Sequence, residues 1–146
     1  MKIGGVWIDL DKIRIPSYFI STKEDHIALW QGTYRGALKM GGNKTFVLGE
    51  SGHIAGIVNH PAKEKYGFWT NSTLEESAEE WIGNAEHHKG SWWLHWNEWL
   101  KQFSAEEQVE PFSTGNEEYP VVGSAPGQYV LQTLPVVDSL PDNELT

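Results

Sequence analysis

The chain has 146 residues, no cysteine and a formal net charge of −9, enough length for one domain with a modest core. The missing cysteines exclude disulfides, thiolate metal sites and a cysteine nucleophile within this chain, and the acidity argues against nucleic acid, whose binding draws on clustered Lys and Arg. No charged leader precedes an apolar core and no apolar run approaches the roughly 18 residues of a membrane helix, so no membrane span is expected and a soluble, cytoplasmic origin is the expectation.

Gly4 and Gly5 open into residues 6–10, whose alternation predicts a short strand, and residues 11–14 read as a turn. Residues 15–21, apolar and β-branched with Pro16 near the start, predict a buried strand that delivers Asp25 at its C-terminal side. A helix follows over 26–40, stopped by Gly41 and Gly42. Residues 45–48 predict a second buried strand, and 49–52 the loop that presents His53. Strand, helix, strand is a parallel crossover unit, and such sheets bind ligands beyond the carboxyl ends of their strands. Asp25 and His53 both fall on that rim.

Residues 61–72 read as a long loop. A helix is expected over 73–85, capped by Asn71, Ser72 or Thr73, and another over 90–103. Charge divides the chain: residues 1–103 hold 11 basic and 12 acidic side chains, and 104–146 hold none and 8. That proline-bearing, aperiodic tail reads as a solvated, irregular extended segment, distinct from the folded part over 1–103.

Asp25 and His53, 28 residues apart, look like two-thirds of a catalytic triad. A carboxylate fixes the tautomer of an imidazole, and the imidazole takes a proton from a nucleophile that this chain lacks. A lone aspartate after a strand more often caps the next helix, and a lone histidine is more often structural; the pairing of the two, together with the motifs that flank them, changes the reading. His26, adjacent to Asp25, reads as structural. Trp92, Trp93, Trp96 and Trp99 place three rings on one helical face, a pattern more often core than a stacking platform. Glu86, His87, His88 and His95 lack the spacing of a zinc helix, so no metal site is expected. Lys63 and Lys65 could meet the phosphates of a ligand, although a solvated loop is the simpler reading.

Gly52-His53-Ile54-Ala55-Gly56-Ile57-Val58-Asn59, running on through Pro61-Ala62-Lys63, resembles the histidine loop of polyhydroxyalkanoate synthases, specifically the class I enzymes that favour short-chain substrates. Glu24-Asp25-His26-Ile27 with Trp30 resembles their aspartate loop. Glu86-His87-His88 and Gly90-Ser91-Trp92-Trp93, with Trp96 and Trp99, resemble their tryptophan-rich closing helix. The likeness runs over residues 4–101, with a weaker echo at Tyr119 and 125–130. His60 and Leu94 stand where proline is usual and Gln128 where arginine is usual; none of these departures touches Asp25 or His53.

The resemblance implies an α/β architecture, the C-terminal part of an α/β-hydrolase fold with parallel strands and crossover helices, in which chain order runs nucleophile, acid, histidine. It implies a Gly-x-Cys-x-Gly elbow upstream, with Met1 an internal methionine and the chain a C-terminal fragment. It further implies an acyltransferase that joins (R)-3-hydroxyacyl-CoA units onto a growing polyester chain and releases coenzyme A, with His53 as general base and Asp25 orienting it or helping to deprotonate the incoming hydroxyl. No bound cofactor is implied, and the parent enzyme is expected to be a homodimer at polymer granules. Two other readings stay open: a non-catalytic, aromatic-rich module that binds polyester or carbohydrate, and a fragment of an α/β-hydrolase-type esterase or depolymerase.

Overall fold

The computed structural model describes residues 2–105 and 107–133, which belong to two compact units, residues 1–106 and 107–146. In the first unit, β1 (Lys2–Ile3) and β2 (Val6–Trp7) form a short antiparallel hairpin. It turns on Gly4 and Gly5, whose φ values of 54° and 84° lie in the left-handed region that side chains disfavour. The strand expected over 6–10 therefore ends at Trp7. Asp9 stops it, because its carboxylate accepts the Asp11 N–H at 3.2 Å and caps a 3-10 turn at Leu10–Lys12.

The sheet that matters runs β3 (Ser17–Thr22), β4 (Lys44–Gly49), β5 (Gly67–Thr70), β6 (Glu86–Lys89), in that spatial order. β3 and β4 are parallel, with Ser17 opposite Lys44 and Thr22 opposite Gly49, and α1 (Trp30–Lys39) supplies the crossover between them. β5 and β6 are antiparallel additions. The sheet is thus mixed rather than wholly parallel, which corrects the expectation at two places. β5 lies inside the segment read as a loop over 61–72, and β6 occupies the Glu86-His87-His88 stretch grouped above with the closing helix. β6 has no apolar residue to signal a strand; tertiary pairing makes it one. His88 Nε2 meets Thr70 Oγ1 at 2.7 Å, and the His87 ring lies 4.8 Å from that of Trp69.

Alternation along β4 sends Phe46 and Leu48 to one face and Val47 to the other. On the first face Trp30, Tyr34 and Ala37 of α1, spaced i, i+4, i+7, pack with Ala78 and Trp81 of α2 (Ala78–Gly83). On the second face Val47 and Phe68 pack with Trp92 of α3 (Trp92–Lys101), flanked by Tyr18 and Ile20. Helices on both sides of a sheet give a mixed α/β, three-layer arrangement.

Helix boundaries also move, each for a local reason. α1 begins at Trp30 rather than residue 26: Asp25 closes a separate turn on the Ile27 and Ala28 amides, and the extended ψ of 127° at Leu29 divides that turn from the helix. Its end holds, since a Cβ at Gly41 would sit 2.0 Å from the Asp11 carbonyl oxygen. α2 is shorter than the helix expected over 73–85. Its cap is Ser77, whose Oγ accepts the Glu80 N–H at 3.1 Å while the same hydroxyl donates to the Glu80 carboxylate at 3.0 Å. Asn71 caps only a turn, through the Thr73 N–H at 3.0 Å. α3 starts at Trp92 with Ser91 as cap and ends at Lys101.

In the second unit the described residues carry a 3-10 turn at Tyr129–Leu131 and a turn in which the Tyr119 N–H donates to the Asn116 side chain at 2.7 Å. The C-terminal part of the expected acidic tail, residues 134–146, lies outside the described residues. Among the described residues no helix is long and apolar enough to cross a membrane.

Candidate active site

β3 and β4 end side by side, and their parallel pairing continues beyond the strands: the Lys23 N–H donates to the Gly49 carbonyl at 2.8 Å and the Glu24 N–H to that of Ser51 at 3.1 Å. These bonds tie the two loops that carry Asp25 and His53. Asp25 is buried, and each of its oxygens has its own partner. Oδ1 accepts the N–H groups of Ile27 at 2.8 Å and Ala28 at 2.9 Å; Oδ2 lies 2.7 Å from His53 Nδ1. Asp25 therefore does not cap α1, whose N-cap is Leu29 without a side-chain bond; one oxygen closes a turn ahead of the helix and the other meets the histidine.

The Ala28 N–H foremost, then the His53 contact, hold the Asp25 carboxyl below the usual carboxylate range, at about 2. At neutral pH Asp25 is thus ionised and can only accept, so Nδ1–H of His53 donates to it. That tautomer leaves Nε2 of a neutral imidazole with its lone pair free, on a side chain 47% exposed. A buried, ionised orienting group behind an accessible base is the chemical capacity of this site.

A chain with such a pair can be placed by comparison. It is 41% identical over 130 residues to poly(3-hydroxyalkanoate) polymerase subunit PhaC of Cupriavidus necator, covering 89% of this chain and 22% of that protein. It is 41% identical over 131 residues to the poly(3-hydroxyalkanoate) polymerase of Methylorubrum extorquens, with the same coverage of each, and 38% identical over 131 residues to poly(3-hydroxyalkanoate) polymerase 2 of Ectopseudomonas oleovorans, 90% of this chain and 23% of that one. The chain is related to the poly(3-hydroxyalkanoate) polymerases. It spans about a fifth of the length of these curated relatives. No family model matches it.

Against this polymerase background, the surroundings of His53 carry information the sequence did not advertise. The turn holding His53 closes with the Gly56 N–H on the Gly52 carbonyl at 3.0 Å, and the Val58 N–H on that of Ile54 at 2.8 Å. Gly56 is obligatory: a Cβ there would lie 2.3 Å from the Glu50 carbonyl oxygen and 2.4 Å from Thr22 Cγ2. The Trp92 indole N–H is shared between the Gly56 and Ile57 carbonyls, 3.2 Å from each, and the Trp93 indole N–H donates to Ile57 at 2.9 Å. Ser91 Oγ donates to the Asn59 carbonyl and caps α3 through the Trp93 N–H at 3.1 Å. With its hydroxyl committed in both directions, Ser91 is no nucleophile, and among the described residues His53 makes no hydrogen bond to a hydroxyl.

The other candidates disperse. His26 is exposed. His87 pairs with Glu50 at 2.8 Å and His88 with Thr70. His95 meets the Tyr18 hydroxyl at 2.9 Å, and burial first, then nearby His88, lowers its basicity. Among the described residues no group of three or more His, Asp or Glu side chains is placed to hold a metal ion. Trp92 is in the core, Trp93 and Trp99 are half-buried, with Trp99 edge-on to Tyr18 at 5.4 Å, and Trp96 is 40% exposed, so the tryptophan face is part core and part surface. Lys63 and Lys65 are exposed on the loop before β5. A lysine that does line a cavity at the strand ends is Lys23, 4.5 Å from the Trp69 ring centroid; with Glu24, Glu50, Ser51 and Tyr66 the two line a space of about 530 Å³.

The low basicity of Asp25 makes a prediction about acid stability. Because its folded value of about 2 lies below the ordinary 3.8, the unfolded chain binds the proton first as pH falls. The stabilisation is complete above the ordinary value and is lost as pH drops through about 2. Asp25→Asn should therefore flatten the acid limb of the stability curve between these values, measured by urea midpoints across that range. An unchanged acid limb would mean that the carboxylate is not held in this way.

Proposed function

We propose that the chain is the part of a poly(3-hydroxyalkanoate) polymerase that supplies the base and its orienting acid to a cysteine carried elsewhere in the whole enzyme. The single observation that carries this reading is the 2.7 Å contact between Asp25 Oδ2 and His53 Nδ1, behind an exposed Nε2, in a chain that aligns with polymerases along 89% of its length. The parallel β3–α1–β4 unit, with acid and histidine in that order at the carboxyl ends of its strands, supports an α/β-hydrolase framework for the complete protein.

In this mechanism Nε2 of His53 accepts the thiol proton, and the resulting thiolate attacks the thioester carbonyl of an (R)-3-hydroxyacyl-CoA, 3-hydroxybutyryl-CoA by the class I likeness. The carbon–sulfur bond to coenzyme A breaks and the proton passes to the leaving thiol. The 3-hydroxyl of the next unit then attacks the acyl group, again losing its proton to the imidazole; the acyl–sulfur bond to the cysteine breaks, and the imidazolium returns the proton to the departing cysteine thiolate. Asp25 stabilises the imidazolium at each step without itself taking the proton. A cytoplasmic homodimer working at the surface of polyester granules belongs to the same reading.

The test compares the 146-residue chain alone with the chain joined to the cysteine-bearing portion of a relative. The chain alone should release no coenzyme A from 3-hydroxybutyryl-CoA, because an imidazole and carboxylate without a thiol have no route to an acyl enzyme. The joined protein should release it. Thiol release by the isolated chain above a buffer control, or none from a folded joined protein, would reject the assignment.

A further inference from the structure

We propose that Trp92 and Trp93 are positioning residues for His53, acting through their indole N–H groups rather than through an aromatic surface. This rests on the catalytic reading of His53 and extends it to residues that touch no reacting atom. The connection is short and continuous. His53 sits inside the turn closed by the bond from the Gly56 N–H to Gly52, and Gly56 is the residue whose carbonyl receives Trp92. Ile57, next in the chain, receives both indoles. The Glu50 carbonyl and the Thr22 methyl close off the space where a side chain at Gly56 would stand, so the turn is packed tightly as well as tethered.

Without those tethers the carbonyls of Gly56 and Ile57 would turn towards water, and the ring of His53, half exposed, has little else to fix it beyond Asp25. Two adjacent tryptophans at the first turn of α3 suit this task. Ser91 caps the helix and bonds Asn59, which fixes the helix start against the end of the same loop. Asn59 in turn donates from Nδ2 to the Lys65 carbonyl at 2.9 Å. The second half of the loop, from Gly56 to Asn59, is thereby held by the start of one helix.

The experiment uses the 146-residue chain and ¹⁵N NMR of the His53 imidazole, which reports the ratio of Nδ1–H to Nε2–H tautomers. Trp93→Phe keeps a ring of similar shape and removes the donor. It should lower the Nδ1–H share relative to Nε2–H by roughly two- to tenfold, the range expected for a lost hydrogen bond, and speed amide exchange at Gly56 and Val58. Trp92→Phe should act in the same direction. Trp96→Phe, whose indole makes no hydrogen bond among the described residues, should leave the ratio unchanged. A Trp93→Phe chain with a lower melting temperature but an unaltered tautomer ratio would overturn the proposal, and so would its global unfolding, since the indole N–H is assigned a local task. If His53→Gln leaves catalysis intact in the joined protein, the catalytic reading fails while the tautomer result still decides whether the tryptophans orient the ring.

Discussion

His53→Gln, in a protein completed with the cysteine-bearing portion of a polymerase, is expected to lower single-turnover acylation of that cysteine by ~10²–10⁴-fold. Glutamine keeps approximate size but offers no basic nitrogen, so the thiol keeps its proton at neutral pH and loses its nucleophilicity. Asp25→Asn is expected to do nearly as much harm by another route. Its side-chain oxygen can still accept the Ile27 and Ala28 amides, so the turn survives. The amide NH₂ group then faces Nδ1 of His53, which must become the acceptor, and the proton moves to Nε2 where the base is needed.

Geometry distinguishes two roles for Asp25 in advance. Oδ1 already receives two backbone donors and Oδ2 receives the imidazole, an arrangement that favours orientation of His53 over direct deprotonation of an incoming hydroxyl. Acylation and elongation should therefore fall together in Asp25→Asn. Acylation at the unmodified rate with stalled polymerisation would instead give Asp25 the second role. Both variants polymerising at the unmodified rate would remove Asp25 and His53 from the mechanism.

The pairing of Asp25 with His53 was legible from two things together: each follows a strand of a parallel pair, and the loops that carry them resemble the aspartate and histidine loops of polyhydroxyalkanoate synthases. Its supporting cast was not. Trp92 and Trp93 gave a helical stripe, and stripes are usually core; nothing in their spacing shows that two indole N–H groups end on the carbonyls of a loop 35 residues earlier in the chain. β6 escaped for a related reason, since Glu-His-His-Lys has neither alternation nor β-branched residues and becomes a strand only by pairing with β5. The Ser77-x-x-Glu80 pattern, by contrast, is a start signal for α2 that the sequence carries in the open, in competition with the polar run at 71–73. The later start of α1 adjoins the site, because the carboxylate that meets His53 also closes a separate turn on the Ile27 and Ala28 amides before the helix begins.

Trp81→Ala should be the most damaging single change to the fold. Trp81 is fully buried between the helices and the sheet, with its ring 5.0 Å from Phe46, 5.8 Å from Tyr34 and 6.3 Å from Trp30. Truncating a buried tryptophan to alanine typically costs about 3–5 kcal/mol, a large part of the roughly 5–15 kcal/mol that holds a domain together. Trp81→Phe should cost far less. Its ring still meets Phe46 and Tyr34, and the indole N–H it removes has no acceptor among the described residues, so no hydrogen bond is lost and one buried polar group disappears. The Asn71 bond to residue 81 survives both changes, because it ends on the backbone carbonyl. Urea midpoints at fixed slope would measure the difference. Equal losses for the two variants would show that the indole N–H contributes a bond the structure does not contain, and a loss under about 1 kcal/mol for Trp81→Ala would mean that this face of the sheet is not the core on which β3, β4 and the site at their ends depend.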